Sequence, residues 1–279
     1  MKTKPVKLST AQKWNELTRK QLFFIMKLFV TRVPEEHALF RILMFLTGIK
    51  VLKKNIFQGG IQYFRFRKGR KKFLLSAEQV SIMINSLRWL LAESELTKNP
   101  LPVFRIWFKK FYGPADNLYN ITLREFIFAE MNFMSFCQSQ HVVYMNNIIA
   151  ILWRKQVEPY NTDAPDYGGD RRERFNDSNF PARSRKLIWL KLNKKYALFN
   201  FYAGCRSAMQ KEFPQVFTAD GGIAKPKNMA KQMMDLVRAV NGGDPTKNEQ
   251  LLEINVRDIL GEMQTAHERV AEMKKRTKK

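Results

Sequence analysis

The chain has 279 residues, 45% of them hydrophobic and 13% aromatic, which is enough apolar mass for one large domain or two closely packed modest ones. Its longest apolar runs, such as 22–30, are interrupted by Lys27 and fall short of the ~20 residues needed to span a bilayer, so no membrane is expected. Forty-nine Lys and Arg against 25 Asp and Glu leave a formal charge of +24, which favours a polyanionic partner, either nucleic acid or an acidic protein surface; a generally basic, solvated surface accounts for it equally well.

Residues 1–8 are a short basic lead-in with a polar stretch behind it, so no signal peptide is expected. Ser9 or Thr10 caps a predicted helix to about Phe29, with Trp14, Leu17, Phe24, Ile25 and Leu28 inward. Val33-Pro34 breaks it. Glu35–Thr47 predicts a second helix, acidic in its first turn as the macrodipole favours, and Gly48 closes it. After Gly59-Gly60, residues 61–67 alternate, 68–71 turn and 72–75 follow, which predicts one β-hairpin lying against neighbouring helices. Ser76 and Gln79 have capping-box spacing and open a helix to about Ala92, with Val80, Met83, Leu87 and Leu90 inward. Asn99-Pro-Leu-Pro102 is a linker, and the aromatic, basic stretch 104–112 predicts a short helix.

The chain is organised around 122–155. Thr122 and Glu125 again have capping-box spacing, with the Glu125 side chain expected to return to the Thr122 amide. Leu123, Ile127, Met131 and Met134 fall on one face, Phe126, Phe133, Phe136 and Cys137 on the next, leaving a polar stripe near Glu125, Asn132 and Ser135. After a break at Ser139-Gln140, Val142, Met145, Ile149 and Leu152 give a second stripe that runs until Pro159. Two such helices predict a core hairpin. Residues 157–181 form a long irregular insertion in which Asp163, Asp166 and Asp170 lack EF-hand spacing and suit a solvated loop.

A helix is predicted over 183–212, with Leu187, Leu190, Ala197, Leu198, Phe201, Cys205 and Met209 inward and Lys186, Lys191, Lys194 and Lys195 on its exposed edge. A turn at 220–222 and a short helix over 227–240, stopped by Gly242-Gly243, follow. Asp244 then caps the last helix, with Pro245 at its first position. In it Leu252, Val256, Ile259, Met263, Ala266, Val270 and Met273 repeat at 4-3-4-3-4-3, a coiled-coil seam for a partner or a stripe packed on its own domain. Residues 274–279 are a basic tail. Three divisions result: 1–98, helical with the hairpin; 99–243, a central helical core; and 244–279, the terminal helix and tail.

Chemistry-bearing motifs are sparse. Cys137 and Cys205 sit in apolar helical patterns and suggest buried thiols in a reducing cytoplasm. Cys137 and His141 are a lone helical pair, His37 and His267 are isolated, and the glycine pairs lack P-loop or Rossmann context, so neither metal nor cofactor is expected. Ser207 lacks a nucleophile elbow. A non-enzymatic protein is expected, with a dispersed active site as the remaining alternative. The positive signal is Arg65, Arg67, Lys68, Arg70, Lys71 and Lys72 interleaved with Tyr63, Phe64 and Phe66, as in a nucleic-acid reader. Arg105, Trp107, Lys109, Lys110 and Phe111 make a second such set. Plain strand alternation, rings inward and cations outward, would produce the first pattern too.

Three segments carry a resemblance: Thr10-Ala-Gln-Lys-Trp-Asn-Glu-Leu-Thr18 with Lys20-Gln-Leu22 and Phe45-Leu-Thr-Gly-Ile-Lys-Val51; Ile148-Ile-Ala-Ile-Leu-Trp-Arg154 before Tyr160-Asn; and Leu236-Val-Arg-Ala-Val240 with Gly242-Gly-Asp-Pro-Thr-Lys247. The chain resembles uncharacterised proteins of tail-gene clusters in phages and prophages of Bacteroidetes-type bacteria. The resemblance implies a chaperone-like, non-catalytic tail-assembly factor of the host cytoplasm or the virion. Its partner would be a tail component or a second copy, held by Leu252, Val256, Ile259, Met263 and Val270. The positive charge departs from a pure chaperone and suits DNA contact through the hairpin. The expected fold is mainly α, a multi-helix globular bundle with one β-hairpin over 61–75.

Overall fold

In the computed structural model, residues 8, 10–163, 169–217, 244 and 248–277 are described. The expected cap at Ser9, the turn at 220–222, the helix over 227–240, its Gly242-Gly243 stop and Pro245 lie outside them, as do the side chains of 274–279. The chain is mainly helical and divides into two compact units, residues 1–95 with 192–197, and residues 96–191 with 198–279. Among the described residues no helix is long and apolar enough to cross a membrane.

In the first unit, α1 (Arg19–Val30) starts later than its apolar spacing suggests. Thr18 Oγ1 accepts from the Gln21 amide at 3.3 Å, the Thr18 amide donates to Gln21 Oε1 at 2.8 Å, and this capping box overrides Thr10. Residues 14–16 form only a 3-10 turn before it. The second helix, α2 (Glu35–Thr47), has the expected bounds, ending on Gly48 at φ +70°, where a residue with Cβ would be strained.

The expected hairpin is part of something larger. Strands β1 (Lys50–Gln58), β2 (Ile61–Lys68) and β3 (Lys71–Ser76) form an antiparallel sheet in that order. Register shifts between Val51 and Lys53, and again between Lys53 and Ile56, break the period of two in β1 and hide it as a strand. One sheet face carries Val51, Phe64, Phe66, Phe73 and Leu75 onto Ile49 and Val80, with Phe66 fully buried. Ser76 and Gln79 form the second capping box and start α3 (Ala77–Asn85), which stops before Ala92; a 3-10 turn over 88–91 still buries Leu90.

In the second unit, 103–112 is a hairpin rather than a helix, comprising β4 (Val103–Ile106) and β5 (Lys109–Tyr112). Phe104, Ile106 and Phe111 are buried while Arg105, Lys109 and Lys110 are exposed, a period-two division that a helix could not make. Its Tyr112 amide donates to the Arg154 carbonyl at 2.7 Å, and its Tyr112 carbonyl accepts the return bond from the Arg154 amide at 3.0 Å. That pairing fixes the chain after α5 in extended form.

The central pair, α4 (Leu123–Ser139) and α5 (Val142–Leu152), turns at Gln140, φ +56°. The second helix ends at Trp153 instead of Pro159, because Arg154 joins Tyr112. The predicted helix over 183–212 is divided: α6 (Phe180–Lys186) and a 3-10 turn over 187–189 precede α7 (Leu192–Glu212), with Leu190 and Lys191 extended between them. Lys195, expected on the exposed edge of that helix, is buried. The terminal helix is also divided, into α8 (Asn248–Leu252) and α9 (Val256–Thr277). At the break the Leu123 amide donates to the Ile254 carbonyl (2.9 Å) and the Val256 amide to the Ile121 carbonyl (3.1 Å). Pairing with the N-terminus of α4 therefore interrupts the heptad seam just after Leu252.

Candidate nucleic-acid interface

Strand alternation decides what the basic-aromatic hairpin presents. The register sets Lys50, Arg67 and Lys72 side by side across three strands, and Lys53 beside Arg65 in the adjoining row. All five are exposed, and none is in an ion pair among the described residues. Directly opposed like charges destabilise a sheet, so this face carries an electrostatic cost that no ion pair among the described residues offsets. Cations on the edge strands β1 and β3 discourage sheet-to-sheet aggregation. That role does not account for Arg65 and Arg67, which occupy the central strand.

The aromatic half of the signal is different. Phe64, Phe66 and Phe73 point to the opposite face, where Phe66 packs 6.0 Å from Phe73, so they are core and cannot stack on a base. Only Tyr63, half-buried, shares the cationic face. Arg70 lies in the exposed turn; Lys68 and Lys71 pair with each other at the turn end of the core-facing row. Lys50 and Lys53 are the residues sequence reasoning missed, because the bulged strand that carries them was not recognised.

In the second basic-aromatic set, Phe111 stacks on Phe104 at 5.4 Å and is core, while Trp107 is 74% exposed. The C-terminal seam is likewise divided by burial. Val256, Ile259 and Met263 are buried within their own unit, Leu252 is half-buried and Val270 is 49% exposed. The central seam positions are thus core residues.

Two buried ionic clusters were not legible as such. Glu125 is 2% exposed instead of lying on a polar stripe, and its carboxylate meets Arg154 Nη2 at 2.5 Å and Arg172 Nη2 at 3.3 Å. It therefore leaves the capping box half made, with Thr122 Oγ1 accepting from the Glu125 amide alone. Arg172 also donates to Asp170 at 2.6 Å and to the Leu152 and Asn120 carbonyls, each at 2.8 Å. Asp170 is thus an ion-pair partner, not part of a solvated acidic loop. These groups line a cavity of about 520 Å³, but the two carboxylates balance the two guanidiniums and their donors are engaged. In the second cluster Glu130, fully buried, accepts from Tyr202 Oη at 2.7 Å and Arg206 Nε at 2.9 Å, joining α4 to α7. Both clusters hold helices together.

Burial pushes the Cys205 thiol up, as expected of a core cysteine; Cys137, by contrast, is exposed on the last turns of α4. Its neighbour His141 takes the N-cap position of α5. No protein-family model, curated protein or solved structure matches the chain.

Proposed function

We propose that this chain is a non-enzymatic nucleic-acid-binding protein that docks the sugar-phosphate backbone on the outer face of its three-stranded sheet. The supporting observation is the exposed cation row Lys50–Arg67–Lys72, in no ion pair among the described residues, with Lys53 and Arg65 behind it. Strands lie ~4.8 Å apart, so the row is a dense stripe of positive charge that phosphates would neutralise with release of counterions. Contact through the backbone is sequence-independent, and a net charge of +24 steers any polyanion toward the protein.

The test is binding of labelled DNA across a salt series by the unaltered protein and by an R65Q/R67Q/K72Q variant. Each lost phosphate contact lowers the log–log salt slope by roughly 0.9 on duplex DNA, so the triple variant should flatten it by roughly 2 to 3. An unchanged slope would rule out the sheet as the interface.

A second reading concerns α9. Val270 and Met273, spaced three apart, are 49% and 65% exposed, and the described side chains from Thr265 onward are all exposed. This stripe suits a protein partner or a second copy, as an assembly factor of a phage tail would need, and the host cytoplasm or the virion is the matching location. Sedimentation of V270E/M273E checks it: loss of self-association or of complex formation, with unchanged helicity, supports the reading.

A further inference from the structure

The turn of the second hairpin is built against its own backbone preference. Trp107 adopts φ +54°, a conformation in which a bulky side chain is strained. A two-residue hairpin turn is best served by Asn-Gly, and here it carries Trp107 and Phe108. Neither ring is buried: Trp107 is 74% exposed and Phe108 fully exposed. The inward side is already filled by Phe104 and Phe111. Local stability is given up to hold two rings in water.

A third ring faces them. Trp189, 66% exposed in the 3-10 turn after α6, lies 6.0 Å from Trp107 between centroids, tilted by 55°. The two indoles wall a cleft of about 280 Å³ floored by Ile106 and Phe111, with Lys109 and Lys186 at its sides. Arg105 and Lys110 are exposed on the same hairpin. None of these four cations is in an ion pair among the described residues.

We propose that the cleft takes one unpaired base of a single-stranded nucleic acid, stacked on the exposed ring of Trp107 with Trp189 bounding it, and with the flanking phosphates on Lys109 and Lys186. The assignment rests on the nucleic-acid reading above and narrows it from any polyanion to a strand with accessible bases. Exposed rings beside free cations are the pairing that single-strand binders use, the ring face accepting a base whatever its identity. A base inside a duplex has no face to offer. An anionic bilayer would also accept indoles and lysines, but an exposed indole bounded by a second, tilted indole suits a single flat ring stacked in the cleft.

The experiment compares a single-stranded oligonucleotide and a duplex of equal length, by anisotropy and by quenching of tryptophan fluorescence. The variant is W107N/F108G, which removes both rings and leaves a turn that folds more readily. Single-strand affinity should fall about tenfold or more while duplex affinity holds. W189A, away from the turn, should repeat the loss. Single-strand binding unchanged in both variants would overturn the cleft while leaving the sheet interface standing. Failure of the unaltered protein to bind either nucleic acid would overturn both readings. If the variants lose binding to vesicles of anionic lipid while their affinity for the single strand holds, the cleft belongs to a bilayer and the base-stacking proposal fails.

Discussion

Glu125 shows how one side chain can be diverted by its surroundings. Its spacing from Thr122 suits a capping box, yet two guanidiniums, from Arg154 and Arg172, compete for the carboxylate, and all three side chains are buried. Two charge-assisted bonds outweigh one bond to a backbone amide. Removing the carboxylate leaves Asp170 alone to balance two buried guanidiniums, and breaking a buried ion pair from one side costs about 3–5 kcal/mol. Glu125→Ala should therefore lower the urea-unfolding free energy of the second unit by that amount; a loss below about 1 kcal/mol would mean that the arginines find other partners. Gly204 is another constrained position. A Cβ there would lie 2.5 Å from the Leu96 carbonyl oxygen, a backbone atom that cannot swing aside. Gly204→Ala should cost about 1–3 kcal/mol by the same assay, as overpacking does. Burial raises the Cys205 thiol and lifts the Tyr202 phenol well above its usual value, with Glu130 adding to the latter. An acid whose folded pKa is raised contributes stability that is complete below its unfolded pKa and is lost as pH rises above it. Stability should thus decline from about pH 8.5, where the unfolded thiol ionises, and more steeply above about pH 10, at up to ~1.4 kcal/mol per pH unit for each group. Urea midpoints of Cys205→Ala should fall less than those of the unaltered protein between pH 8.5 and 10; parallel declines would assign the alkaline loss elsewhere.

Among the elements, legibility followed the locality of the signal. The bounds of α2 could be read because Pro34, the acidic first turn and Gly48 are each local. Thr18, Ser76 and Thr122, each with Gln or Glu three residues on, cap helices, although Thr18 was passed over in favour of Ser9 or Thr10. What escaped was set by partners distant in sequence. Strand β1 is bulged, so its alternation shows only in its pairing with β2. The aromatic stretch 103–112 has both β-forming residues and helix-length continuity, and its cross-strand pairs decide for a hairpin. Arg172 gave no signal because the carboxylate that buries it lies 47 residues earlier. The cationic positions of the candidate interface were half legible: Arg65, Arg67 and Lys72 came from alternation, Lys50 and Lys53 only with the third strand. The seam of α9 had the right period, but period alone does not name the surface it meets. Here its proximal half meets the unit's own core. Ile259→Asp with Met263→Asp should accordingly unfold the unit, seen as loss of the cooperative thermal transition, whereas V270E/M273E should leave that transition in place. Retained folding in the first variant would return Ile259 and Met263 to a partner-facing role.

For the whole molecule, +24 spread over 279 residues is a standing self-repulsion that the folded state bears more heavily than the expanded chain. Screening relieves it, so moderate salt should raise the thermal midpoint in the absence of any ligand. A bound polyanion should do more at low salt, since it places negative charge directly on the row Lys50–Arg67–Lys72. Ligand present at a hundred times its Kd stabilises the folded state by about 2.7 kcal/mol. That increment belongs to the unit holding the sheet, residues 1–95 with 192–197, and should appear in its transition as an upward shift at ~0.05 M salt. The R65Q/R67Q/K72Q variant makes opposite predictions for two terms. Without ligand it should melt higher than the unaltered protein, because like charges no longer face one another. With ligand it should gain much less. A variant that melts lower without ligand would mean the arginines hold the sheet together through their aliphatic stems, and an undiminished gain with ligand would place the polyanion on another surface. Both outcomes together would turn this face from an interface into a structural element, whereas a higher ligand-free midpoint with a diminished gain is the behaviour of a surface whose stability has been traded for binding.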